Sequence, residues 1–104
     1  MSKRLLDAAA LPPGGLHALE IDGLEILLAR DQAGKLYALR DRCPHQQRSL
    51  GGGSIEGQVL TCRHHGVQIE LSDGTVRYSA GYIGLESVRT YRVEERDGAI
   101  WLIT

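Results

Sequence analysis

Residues 43–66 read CPHQQRSLGGGSIEGQVLTCRHHG, and this stretch determines what the chain can build. It contains both cysteines of the 104-residue protein and three of its four histidines. Its first part presents these residues as C-x-H, and after sixteen intervening residues its last part presents them as C-x-x-H. A chain poor in cysteine and histidine thus concentrates them in two short segments. We therefore expect two loops that carry ligands.

The rest of the composition is ordinary for a globular protein, with 42% hydrophobic residues, 24% charged residues and a net charge of −1. Nothing in this balance indicates a nucleic-acid partner or a membrane surface. The apolar start LLDAAAL is interrupted by Asp7 and ended by Pro12, so it is too short for a signal sequence or a spanning helix. We expect a cytoplasmic protein with a frayed start. In that reducing compartment, a cysteine–histidine cluster favours metal binding over a disulfide.

Short apolar or alternating runs predict strands along most of the chain. The predicted strands lie at residues 16–21, 24–30, 35–40, 58–62, 67–71, 75–78, 87–95 and 99–104. Asp22-Gly23 and Asp97-Gly98 are typical of tight hairpin turns. The unbroken apolar run 100–103 is typical of a strand buried on both faces.

Two segments depart from this strand pattern. Only the first ten residues can support a helix, and the pattern stops between Arg42 and Gly57, where polar residues and glycine predominate. The length of the chain predicts one domain over residues 1–104. The fold we expect is all-β, a small antiparallel β-sandwich or barrel with an inserted cluster-binding subdomain at about 41–75.

The mixed order of the ligand types bears on the metal. Zinc fingers usually present cysteine with cysteine and histidine with histidine, whereas each segment here offers one of each. Two thiolates on one iron and two imidazoles on the other make a Rieske [2Fe-2S] centre. Two loops that face each other across a dinuclear cluster would supply this set. A structural zinc site on the same four residues is the alternative.

The sequence resembles the Rieske-type [2Fe-2S] ferredoxin family, the soluble ferredoxins of bacterial multicomponent oxygenases. The likeness rests on CPH at 43–45 and CRHHG at 62–66, and it extends through GKLYALRDRCPH, IEGQVLTCRHHGVQIELSDG and YRVEERDGAIWL. It implies that Cys43 and Cys62 bind one iron and that His45 and His65 bind the other. His64 also stands in a C-x-H arrangement with Cys62, but the family's C-x-x-H-G pattern favours His65.

The resemblance implies a one-electron carrier and not an enzyme. It would take electrons from an NAD(P)H-dependent flavoprotein reductase to a terminal oxygenase, either an aromatic ring-hydroxylating dioxygenase or a di-iron monooxygenase. Val67 and Gln68 offer no hydroxyl near the cluster, and no cysteine remains for a loop disulfide. In both respects the chain resembles the soluble members of the family, which have low reduction potentials. A monomer is expected. The alternative is a small Rieske-like subunit of a larger reductase, such as nitrite reductase.

Two further features concern the surface near the cluster. Arg42, Arg48 and Arg63 lie in or beside the two loops, and we hypothesise that they form a basic rim that docks on acidic partners. The family often has a proline-rich loop after the second segment, whereas this chain has YSAGYIGLES at 78–87. The shape of that loop is therefore expected to differ from the family's.

Overall fold

The computed structural model describes residues 2–44, 48–64 and 66–103. Within them the chain forms eleven strands and one 3-10 turn, Ala8–Ala10. The strands are β1 Ser2–Asp7, β2 Leu16–Ile21, β3 Leu24–Arg30, β4 Leu36–Arg40, β5 Ser54–Glu56, β6 Val59–Thr61, β7 Gln68–Glu70, β8 Val76–Tyr78, β9 Thr90–Tyr91, β10 Val93–Arg96 and β11 Ala99–Ile103. No helix in these ranges is long and apolar enough to cross a membrane.

The strands form three antiparallel sheets, which confirms the all-β prediction. The outer sheet has the order β1-β11-β10, the central sheet β2-β3-β4-β9, and the insert sheet β5-β6-β7-β8. The insert sheet runs without interruption in sequence from Ser54 to Tyr78. The first predicted ligand segment lies in the connection between β4 and this sheet, and the second lies between β6 and β7.

The central sheet is covered on both faces, because neighbouring residues of a strand point to opposite sides. Ile26 and Leu28 belong to one buried cluster with Ile100 and Leu102 of the outer sheet. The intervening residues of β3, Leu27 and Ala29, belong to a second cluster. That cluster also contains Leu60 and Ile69 of the insert sheet. All four residues from Ile26 to Ala29 are buried, so β3 is buried on both faces, as is the middle of β4.

That role was predicted for residues 100–103, and the prediction was wrong. In β11 only Ile100 and Leu102 of this run are buried, while Trp101 and Ile103 are half-buried. The reason is that β11 belongs to the outer sheet, which packs on the central sheet through one face.

Both predicted Asp-Gly hairpins are confirmed. Asp22 and Gly23 have φ values of 51° and 80°, and Asp97 and Gly98 have 51° and 75°. Positive φ at both central residues matches the right-handed twist of the flanking strands, and the Asp-Gly pair tolerates it well. These turns fix the pairings β2–β3 and β10–β11.

Residues 2–7 are neither helical nor frayed, and only Ala8–Ala10 form a short 3-10 turn. Residues 2–7 form β1, which pairs with β11 from Ser2 opposite Ile103 to Asp7 opposite Ala99. A strand from the far end of the chain thus supplies the hydrogen-bond partners of this segment. No local pattern indicates such a pairing.

Two other strand predictions need correction. The segment between Arg42 and Gly57 contains β5, whose Ser54 and Glu56 pair with β6 despite their weak strand preference. The single predicted strand at 87–95 is divided at Arg92. Its first part, β9, pairs with β4 of the central sheet, and its second part, β10, pairs with β11 of the outer sheet.

Candidate metal centre

The two cysteines lie at the ends of different strands and meet in one buried cluster. Cys43 follows β4 and is 0% exposed, and Cys62 follows β6 and is 1% exposed. They share this cluster with apolar residues of the central and insert sheets, among them Leu27, Leu39 and Leu60. They are not joined by a disulfide. The fold therefore brings together the two predicted thiolate ligands from segments far apart in sequence.

Each ligand segment is closed by an equivalent backbone hydrogen bond from its cysteine. The backbone N–H of Cys43 donates to the carbonyl of Arg48 at 2.7 Å, and that of Cys62 donates to the carbonyl of Val67 at 2.8 Å. Each bond spans five residues, and each predicted histidine lies inside the span. We call residues 43–48 the first loop and residues 62–67 the second loop.

The second loop is tightened by a further bond. The N–H of Gly66 donates to the carbonyl of Cys62 at 3.1 Å, and Gly66 has φ +78°, a conformation in which a side chain would be strained. The remaining predicted ligands, His45 and His65, lie outside the described residues. His64, between Arg63 and His65, is exposed.

Asp41, just before the first loop, is hydrogen-bonded to β3 and to the segment that follows the loop. Its carboxylate accepts the N–H of Leu50 at 2.7 Å and the hydroxyl of Ser49 at 2.7 Å. Its own N–H donates to the carbonyl of Glu25 on β3 at 3.0 Å. Because Asp41 is only 7% exposed, these bonds are shielded from competing water. Asp41 therefore holds both ends of the loop that carries Cys43.

Sequence analysis missed this role. An aspartate in a polar stretch next to Arg42 is usually a solvated loop residue. The only available signal was its position directly after a buried strand, where Leu39 is 0% exposed. That position alone does not reveal which backbone groups the carboxylate will meet.

The segment 79–87 covers the core beside the cysteines, although it lacks proline. It starts with a turn in which Ala80 and Gly81 have φ values of 54° and 89° and the N–H of Tyr82 donates to the carbonyl of Ser79 at 3.0 Å. Ala80, Tyr82 and Leu85 pack against the buried cluster that contains Cys43 and Cys62. Ile83, at 98% exposure, points away from that cluster into solvent.

The three arginines of the predicted rim have different environments. Arg42 is half-buried and forms an ion pair with Glu25 at 2.5 Å, and this hydrogen bond raises the pKa of Arg42. Arg48 and Arg63 are exposed. Arg63 lies over Gly52, where an added Cβ would come within 2.5 Å of its Cδ. Only Arg48 and Arg63 thus keep the solvent-exposed character that the rim hypothesis requires.

The donor set suits a Rieske cluster. Iron in such clusters is bound by thiolates and imidazoles. Cys43 and Cys62, the two predicted ligands that the structure describes, are buried in one core cluster, and the backbone N–H of each is hydrogen-bonded. When bound, the cluster supplies reversible one-electron redox chemistry. The chain's own contribution is to hold the ligands through the two Cys N–H bonds and Asp41, and to exclude water from the thiolate side.

Comparison with known proteins agrees with this geometry. Residues 2–91 match the family described as Rieske [2Fe-2S] domain. The chain is 36% identical over 103 residues to 4beta-methylsterol monooxygenase of Methylococcus capsulatus, covering 88% of this chain and 27% of that protein. It is 30% identical over 79 residues to the vanillate O-demethylase oxygenase subunit of a Pseudomonas species, covering 75% and 22%. The chain thus spans about a quarter of the length of these relatives.

A solved structure of similar size shares the fold. The ferredoxin of carbazole 1,9a-dioxygenase from Nocardioides aromaticivorans superposes with a TM-score of 0.85 at 23% identity, covering 98% of this chain and 96% of that one. The family match favours the iron–sulfur cluster over the structural zinc site. The chain belongs to the Rieske [2Fe-2S] domain family, and its cofactor is a Rieske-type [2Fe-2S] cluster.

Proposed function

We propose that this chain is a one-electron carrier that takes electrons from an NAD(P)H-dependent flavoprotein reductase and delivers them to a terminal oxygenase. In this proposal residues 1–104 act as one Rieske domain, with its cluster-binding subdomain at about 41–75. The domain is a cytoplasmic monomer that catalyses no reaction of its own. Cys43 and Cys62 bind one iron, and His45 and His65 bind the other.

The observation that carries the proposal is that both cysteines lie in one buried cluster, each with its N–H bonded to the carbonyl five residues further on. With two thiolates on one iron and two imidazoles on the other, the protein fills the outer ligand positions of both irons. A catalytic metal site keeps a position open for water or substrate. A saturated cluster has no such position, so electron transfer is the function it supports.

The names of the relatives support an oxygenase as electron acceptor. Those of the two proteins compared above refer to a monooxygenase and to an oxygenase subunit. The structural neighbour is a ferredoxin of a dioxygenase, and its length is nearly that of this chain. We therefore favour a ferredoxin component over a fixed subunit of a larger reductase. Both acceptor classes, dioxygenase and di-iron monooxygenase, remain within the proposal.

The residues beside the second loop support a potential at the low end of the Rieske range. Hydrogen bonds to the cluster sulfurs raise the potential, and hydroxyl groups are effective donors. Val67 is fully buried and apolar, and the amide of Gln68 donates to the hydroxyl of Thr61 at 3.4 Å. Neither side chain adds a hydroxyl next to Cys62.

A redox titration of anaerobically purified protein, followed by gel filtration, tests the proposal. We expect reversible loss and return of the visible absorption with one electron per chain, and elution as a monomer in both redox states. A carrier must survive this cycle unchanged. Irreversible bleaching, or self-association driven by exposed apolar residues such as Ile83, would instead indicate an obligate subunit of a larger enzyme.

A further inference from the structure

A groove of about 340 Å³ opens beside the first loop. Its wall includes Pro44, the residue after Cys43. It also includes three arginines, which come from the end of β4, the residues just before the first loop and the segment before β9: Arg40, Arg42 and Arg89. One carboxylate, Glu86, also lines it. The groove is therefore a positively charged concavity next to the first loop, in a protein whose net charge is −1.

Two of these arginines occupy an unfavourable arrangement. The N–H of Arg40 donates to the carbonyl of Arg89 at 2.8 Å, one residue beyond the β4–β9 pair Leu39 and Thr90. Arg40 and Arg89 therefore stand opposite each other on neighbouring strands, and both side chains are exposed. Like charges in directly opposite positions destabilise a sheet. The guanidinium group of Arg89 also lies over the ring of Tyr91, 5.6 Å from its centroid. An anion bound beside both arginines would offset their repulsion.

Among the described residues, most arginines without an ion pair lie around this groove and on the two loops. Elsewhere Arg30, Arg77 and Arg96 each have a carboxylate partner. Within the described ranges, five arginines have no ion pair: Arg40, Arg48, Arg63, Arg89 and Arg92. All but Arg92 lie in the groove or on the loops. The basic surface is thus local, and its centre is the Arg40–Arg89 pair rather than Arg42, which Glu25 neutralises.

We propose that the groove binds an aspartate or glutamate side chain of the redox partner during electron transfer. This inference rests on the function proposed above and adds a docking surface to it. The planar guanidinium groups of Arg40 and Arg89 suit a carboxylate, which can bridge two donors. Glu86 is one carboxylate in a wall that also contains Arg40 and Arg89, so the groove keeps a positive charge that favours an acidic group. A partner anchored here lies against the loop that holds Cys43.

The test uses a dye-labelled hexaglutamate peptide as the acidic probe and measures its fluorescence anisotropy with the cluster-loaded protein at low salt. The variant R40Q/R89Q removes two charges from the groove. The control K35Q/R92Q also removes two positive charges, but neither Lys35 nor Arg92 lines the groove. Lys35 precedes β4, whereas Arg40 ends it. We expect R40Q/R89Q to weaken binding by about fivefold or more and the control by less than about twofold, because exposed ion pairs are individually weak.

Equal losses in the two double variants would overturn the proposal, because binding would then follow net charge alone. Displacement of the peptide by phosphate at far lower concentration than by acetate would also overturn it, by indicating a small-anion site. The EPR spectrum of each reduced variant is the independent check. A protein without a cluster signal would contradict the proposed function, whereas an intact signal with no groove effect would contradict only this inference.

Discussion

Replacing Asp41 by alanine should both destabilise the fold and loosen the cluster. The change removes the acceptor of the buried Leu50 N–H and of the Ser49 hydroxyl, each at 2.7 Å. A hydrogen bond to a charged group contributes about 1.5–3 kcal/mol, and the more exposed hydroxyl adds about 0.5–1.5 kcal/mol. We therefore expect the free energy of unfolding to fall by about 2–4 kcal/mol. Asp41→Asn keeps one acceptor and should lose less.

Urea denaturation of the cluster-loaded protein measures this loss, and the rate of bleaching in the presence of an iron chelator measures release of the cluster. Asp73 is the matched control, since it accepts the N–H and the hydroxyl of Thr75 at 3.0 and 2.7 Å but is exposed. Asp73→Ala should be clearly milder and should not speed bleaching. If Asp41→Ala and Asp73→Ala behave alike in both assays, the role assigned to Asp41 is wrong.

Two further predictions concern a pair of glycines and a tyrosine. Gly57→Ala should lower the free energy of unfolding by about 1–2 kcal/mol, because Gly57 has φ +60° but no neighbouring atom within 4 Å of an added Cβ. Gly74→Ala should lower it several times more, because its Cβ would lie 1.9 Å from the carbonyl oxygen of Val88. Equal losses of stability in urea denaturation would contradict this. Burial, and then the charge and hydrogen bond of Asp31, raise the pKa of Tyr37. The protonated phenol therefore stabilises the fold below the unfolded pKa of about 10, and this contribution is lost as pH rises through the folded pKa. Tyr37→Phe should show a smaller fall in stability above that pH, and an unchanged fall would refute the linkage.

Local chemistry explains why parts of the fold could be predicted. The Asp-Gly turns at 22–23 and 97–98 need positive φ at two successive positions. Aspartate and glycine are residue types that tolerate positive φ, so the turns can be predicted from the residues alone. The ligand segments were recognisable for the same reason, since thiolate and imidazole donors at fixed spacing have few other uses. The structure places Cys43 and Cys62 together as this spacing predicts.

The features that were missed depend on partners distant in sequence. The pairing of β1 with β11 joins the two ends of the chain, and the division of residues 87–95 at Arg92 depends on which sheet each half meets. The burial of Asp41 and the opposition of Arg40 to Arg89 likewise arise only when separate segments assemble. No periodicity within a single segment records these contacts.

The central claim is that this chain holds a Rieske cluster through Cys43, Cys62, His45 and His65. The most direct measurement is the nitrogen hyperfine coupling in the EPR spectrum of the reduced protein, with iron and acid-labile sulfide assayed on the same sample. We expect two irons, two sulfides and two coupled imidazole nitrogens per chain. His64→Ala should keep both couplings, whereas His65→Ala should lose one or release the cluster. A colourless protein that contains zinc, or a coupling that disappears in His64→Ala and persists in His65→Ala, would contradict the account.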